Sequence, residues 1–96
     1  MTDKKLQFQY RIYGQVQGVG FRAWLKDLAE ELEMDGYCRN RSDGSVELVV
    51  SHVTEEELDR LDKKLKTGPP SARVDRIEKN KSQENITKGF AILTTR

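Results

Sequence analysis

The stretch LQFQYRIYGQVQGVGFRAWLKDLAEEL, from Leu6 to Leu32, decides how the chain must fold. Leu6, Phe8, Tyr10 and Ile12 alternate with Gln7, Gln9 and Arg11, the two-residue period of a strand with one buried face. Phe21, Leu25, Leu28, Ala29 and Leu32 then recur at helical spacing, with Lys26, Asp27, Glu30 and Glu31 on the opposite side. Between strand and helix lies a glycine-rich loop holding Gly14, Gly18 and Gly20, three of the chain's seven glycines.

Downstream, Tyr37 to Arg41 and Val46 to Val50 flank Ser42-Asp43-Gly44-Ser45, a hairpin in which Asp-Gly supplies the positive φ of a tight turn. Thr54 and Glu57 match a capping box ahead of Leu58, Leu61 and Leu65, so a second helix is expected to about Lys66. Its acidic first turn (Glu55, Glu56, Glu57) and basic last turn (Lys63, Lys64, Lys66) complement the helix dipole. After Gly68-Pro69-Pro70, Ala72 to Glu78 and Phe90 to Leu93 are strand candidates, and the polar Lys79 to Lys88 reads as an exposed loop or loose hairpin. The order β-α-β-β-α-β, with a possible extra strand, fits an α+β ferredoxin-like sandwich. That plan is an antiparallel sheet of four to five strands with two helices on one face. It hosts many functions and selects none of them.

A length of 96 residues leaves room for one domain, 1–96, and is too short for a doubly wound nucleotide fold. Lys+Arg total 17 against 16 Asp+Glu, so no global charge draws the chain to nucleic acid or to an anionic membrane. One cysteine, Cys38, excludes a disulfide framework, and one histidine, His52, makes a metal site of these residues improbable. The N-terminal residues 1–5 lack the apolar core of a signal peptide, and no apolar run reaches membrane-spanning length. The expectation is a cytoplasmic, monomeric protein without nucleic-acid or membrane partners.

The segment Gly14-Gln15-Val16-Gln17-Gly18-Val19-Gly20-Phe21-Arg22 joins a strand end to a helix start. Glycines there let the backbone form a concave loop with inward N–H groups, and the helix N-terminus adds positive potential. That combination makes an anion site. Arg22, in the first helical turn, adds a planar donor fork suited to phosphate. The plainer reading is a glycine-rich connector with a surface arginine. Gly18-x-Gly20-x-x-Ala23 also matches a dinucleotide fingerprint, but no acidic residue ends a second strand some twenty positions on; the nearest, Asp43, sits in a turn. The aromatic signature of an RNA-recognition module is absent from both inner strands. In a right-handed crossover the first two strands run parallel, which brings Asn40 to the same sheet end as the loop. A carboxamide there can hold a water, although an Asn before a turn is more often structural.

Gly14 to Arg22 resembles the acylphosphatase signature, Gly-x-Val-Gln-Gly-Val-x-Phe-Arg, at every specified position. Residues 36–47 resemble that family's second block, while Gly68-Pro69-x-x-Ala72-x-Val74 and Phe90-x-Ile92 match two weaker ones. The resemblance implies a hydrolase of acyl phosphates that needs no metal and no other cofactor, with inorganic phosphate as product and inhibitor. Arg22 would be the catalytic, phosphate-binding arginine and Asn40 would position the attacking water. The backbone N–H groups of Gln17, Gly18, Val19, Gly20, Phe21 and Arg22 would hold the phosphoryl oxygens. The alternative is a catalytically weak module that binds phosphate or acyl phosphate. Two departures stand out: Cys38 replaces the usual valine, and Leu32-Glu33-Met34 stands where the family has Leu-Gly-Leu, so the first helix must end without its glycine.

The remaining residues read plainly. His52 is expected at the surface, Cys38 in the core as a small apolar residue, and Trp24 packed beside the helix stripe. Asp43 belongs to the turn and Glu47 to a strand, while Arg39 and Arg41 are expected to lend positive potential near Asn40.

Overall fold

Tyr10 and Ile12 point from β1 (Leu6–Gln15) into the core in a computed structural model that describes residues 6–96. Residues 1–5, read above for the lack of a signal peptide, lie outside the described residues. α1 (Phe21–Glu31) buries Phe21, Leu25, Leu28 and Ala29 against that face, and α2 (Glu55–Thr67) buries Leu58, Leu61 and Leu65. Burial of each such leucine is worth about 1.5–3 kcal/mol, so the two apolar stripes hold both helices on one side of the sheet. The capping box forms as the sequence predicts: Glu57 N–H donates to Thr54 Oγ1 at 3.1 Å, and Thr54 N–H donates to Glu57 Oε1 at 3.0 Å.

β2 (Asp35–Asn40), β3 (Val46–Val53), β4 (Arg73–Lys81) and β5 (Phe90–Ile92) complete a sheet in the order β4-β1-β3-β2-β5. β3 is antiparallel to both β1 and β2, pairing Leu48 with Tyr10 on one side and with Cys38 on the other. β1 and β2 are therefore parallel, and the ends that carry Gln15 and Asn40 meet at one end of the sheet. This is the ferredoxin-like α+β arrangement.

Two expectations change in detail. Lys79, Asn80 and Lys81 belong to β4 and not to a loop, because they pair with Tyr10, Gln9 and Phe8 of β1. Lys79 Nζ, 2.7 Å from Asp62 and 4.8 Å from the Phe8 ring centre, is held by tertiary partners that a propensity reading does not contain. The charges along β4 also suit a sheet edge. The second change concerns β5, which runs parallel to β2 and makes the sheet mixed. β4 and β5 lie on opposite edges, so residues 82–89 must cross the sheet. They cross the face opposite the helices: Gln7 Nε2 donates to Ser82 Oγ and Tyr37 Oη donates to Glu84 Oε1. That crossing starts β5 beside Gly36, at the far end from Asn40, and directs it alongside β2 toward Asn40.

α1 ends without glycine in the manner glycine would have used. Glu33 takes a left-handed φ of 56°, its N–H donates to Glu30 O at 3.1 Å, and Met34 N–H donates to Ala29 O at 2.8 Å. These are the paired bonds of a Schellman cap, closed by the buried Met34. His52 is exposed, also at positive φ, and forms the extra residue of a bulge between Ser51 and Val53, which pair with Gln7 and Leu6.

Candidate active site

The loop between β1 and α1 is anchored at both ends by buried apolar side chains, Val16 and Phe21. Between them Gly18 and Gly20 adopt φ of 74° and 76°. No atom lies within 4 Å of where either Cβ would stand, so glycine is needed here for backbone conformation and not for space. Gly20 is the N-cap of α1, offers no side-chain acceptor, and no acidic residue follows in the first turn. Among the described residues no protein acceptor takes the N–H groups of residues 17–22. The free end of an 11-residue helix and these loop amides thus present a concentrated positive potential.

Arg22 projects from that first turn. It is half-buried, and among the described residues no carboxylate or carbonyl partners its guanidinium. Asn40, the last residue of β2, is half-buried, with its Oδ1 atom buried and without a protein hydrogen-bond partner among the described residues. An unpartnered buried acceptor costs about 1–3 kcal/mol, so its retention calls for an explanation. Arg22 and Asn40, with Gly18, Gly20, Ala23 and Ile92, line one depression of about 230 Å³. The lining supplies a guanidinium, a carboxamide and backbone N–H groups. Such a donor set can grip a tetrahedral oxyanion, and Asn40 borders the same space.

The sequence therefore locates the two side chains that converge. Phe21 also borders the depression, while Gln17 and Val19 do not. Val19 packs against the core, and the Gln17 side chain turns the other way: its Nε2 donates to Arg41 O and to Ser45 O, both at 2.8 Å. Arg39 and Arg41 are less free than expected. Glu47 of β3, buried, lies 3.5 Å from Arg39 Nε and 3.1 Å from Arg41 Nη1, and also accepts from Gln9 Nε2 at 2.8 Å. Asp43 stays in the turn, where hydrogen bonds from Ser45 hold its carboxyl below the usual carboxylate range. Cys38 and Trp24 pack as expected, Trp24 edge-on to Phe21 at 5.4 Å. Ile92 is the lining residue that no chemical reading of its type singles out; the weak Phe90-x-Ile92 match was its only mark.

The family description Acylphosphatase matches residues 8–92 of the chain. An acylphosphatase of Cupriavidus necator is 44% identical over 75 residues, which cover 78% of this chain and 80% of that one. Among solved structures, an acylphosphatase from Bacillus subtilis superposes with a TM-score of 0.84 at 31% identity, covering 92% of this chain and 98% of that one. Full-length HypF, in a phosphate- and nucleotide-bound form, superposes with a TM-score of 0.84 at 27% identity over 94% of this chain but only 12% of its own.

Proposed function

The chain belongs to the acylphosphatase family and is a hydrolase of acyl phosphates, and on that premise we propose that Arg22 and the loop amides bind the phosphoryl group while Asn40 positions the attacking water, without a metal. The single observation that carries this reading is that Asn40, whose buried Oδ1 finds no protein partner among the described residues, lines the same depression as Arg22, whose guanidinium is unpaired among them.

The N–H groups of residues 17–22 and the Arg22 fork hold the three phosphoryl oxygens. Asn40 Oδ1 accepts a hydrogen bond from water, which leaves the water's lone pair to attack phosphorus. The bond between phosphorus and the acyl oxygen breaks, and its electron pair departs with the carboxylate. The water's proton passes to a phosphoryl oxygen, so the products are a carboxylate and inorganic phosphate. A carboxylate leaves readily, so no strong general acid is needed. A loose, metaphosphate-like transition state asks mainly for positioning and charge stabilisation. The positive, donor-rich lining neutralises the anion directly, which is the work a cation would otherwise do. Arg22, the loop and Asn40 come from one chain, so the proposed site draws no residue from a second copy.

The test is hydrolysis of a simple acyl phosphate with and without chelator. Turnover unaffected by chelator and inhibited competitively by phosphate is expected. Turnover abolished by chelator would refute the metal-free reading, and phosphate binding without turnover would favour a binding module.

A further inference from the structure

The two halves of the site come from elements that share no strand ladder. The phosphate loop follows β1, Asn40 ends β2, and β3 lies between them. Gly18 and Gly20 give the loop a permissive backbone, so something must hold it at a set distance from Asn40. One side chain does so. Gln17 immediately precedes Gly18, and its Nε2 donates to the carbonyls of Arg41 and Ser45, each at 2.8 Å. Arg41 immediately follows Asn40. Both carbonyls already serve the hairpin: Gly44 N–H donates to Arg41 O at 3.0 Å, and Arg41 N–H donates to Ser45 O at 2.8 Å. Gln17 therefore occupies the remaining lone pairs and uses both of its own amide hydrogens. Asp43 fixes the turn from the other side by accepting from Ser45 N–H at 2.9 Å.

From this we infer that Gln17 is a positioning residue, whose side chain sets the spacing between the phosphoryl-binding loop and the water held by Asn40. The inference rests on the roles proposed above for the loop and Asn40. The phosphate-binding groups all belong to the β1–α1 connection, so a ground-state anion is held without the clamp. In-line attack also needs Asn40 at the correct distance, so the clamp acts on the transition state. A misplacement of about 1 Å costs roughly a hundredfold in such a step.

The experiment is a double-mutant cycle with acyl phosphate hydrolysis and phosphate affinity as readouts. Gln17→Met keeps the length of the side chain and removes both donors. It is expected to lower kcat by about tenfold to a hundredfold and to leave phosphate affinity close to that of the parent. In an Asn40→Ala background the same change is expected to have little further effect, because Gln17 acts through Asn40. Should Gln17→Met fail to fold, Gln17→Asn, one methylene short of the two carbonyls, is carried through the same cycle. Additive losses of kcat, or weakened phosphate binding at unchanged kcat, would overturn the clamp and leave the Asn40 assignment standing. Undiminished turnover in Asn40→Ala alone would overturn the assignment on which the clamp rests.

Discussion

The Cys38 thiol lies 3.8 Å from the carbonyl oxygen of Arg22, where β2 passes beneath the first turn of α1. Burial pushes its pKa up to about 12, even though Arg22 and Lys26 pull in the opposite direction. The thiol beside the proposed phosphate site is therefore protonated and inert. A thiol reagent at mildly alkaline pH is expected to label the folded protein slowly and the denatured protein at once. The linkage has a definite sign: the thiol costs nothing below its ordinary 9.0, and between there and about 12 the unfolded chain ionises first, so stability falls as pH rises. Cys38→Val is expected to remove the thiol's share of that decline, leaving the share of the Tyr10 and Tyr37 hydroxyls, which burial also pushes up, and to retain activity. Rapid labelling of the folded protein would contradict it.

Glu33 supplies the second prediction. It is exposed and holds a left-handed φ of 56°, a conformation that costs an L-residue about 1–2 kcal/mol. Glycine adopts it freely but loses more entropy on folding, so Glu33→Gly is expected to gain a net amount of about 0.5–1 kcal/mol. For a domain of this size that raises Tm by about 2–8 °C. Activity should not change, since Glu33 lies at the opposite end of α1 from Arg22. A lower Tm would show that the Glu33 side chain contributes more than its backbone costs.

Local signals made most of this legible from the sequence. The period of Leu6 to Ile12, the Thr54–Glu57 box and the Asp43-Gly44 turn each act within a few residues, and each appears where the pattern put it. Arg22 and Asn40 could be read because a parallel β1 and β2 bring their ends together whatever the detail between them. Registers across the sheet were not legible. The direction of β5 depends on where residues 82–89 cross, and Glu47 becomes a partner of Gln9, Arg39 and Arg41 only once β3 lies between β1 and β2. Gln17 is the instructive case: its motif suggests a role for its backbone, but two carbonyls 24 and 28 residues away decide what its side chain does.

Arg22 combines a full charge with two aligned donors at the start of α1, and no protein group among the described residues competes for it. In the proposed reaction it acts both in binding and in the transition state. Arg22→Ala is expected to weaken phosphate binding and to lower kcat at least as much as loss of one transition-state donor does, roughly 10²–10³-fold. Arg22→Lys should not restore turnover, because a point charge cannot form the planar fork. Near-native turnover in the lysine variant would contradict the assignment.

Asn40 should behave differently from Arg22 in every readout. If it holds the water and not the phosphate, its interaction is realised only on the way to the transition state. Asn40→Ala is then expected to lower kcat and kcat/KM together while phosphate affinity stays close to that of the parent. Stability gives an independent check. The Oδ1 atom is buried without a protein partner among the described residues, so alanine removes an unsatisfied acceptor. The backbone bond from Arg96 N–H to Asn40 O at 3.0 Å is left intact. The fold should therefore hold its stability or gain on the order of 1 kcal/mol, read as an unchanged or raised Tm. A group whose loss abolishes turnover and stabilises the fold is one kept for chemistry at the expense of stability. A variant that melts well below the parent, or that binds phosphate poorly, would instead place Asn40 in the architecture of the hairpin.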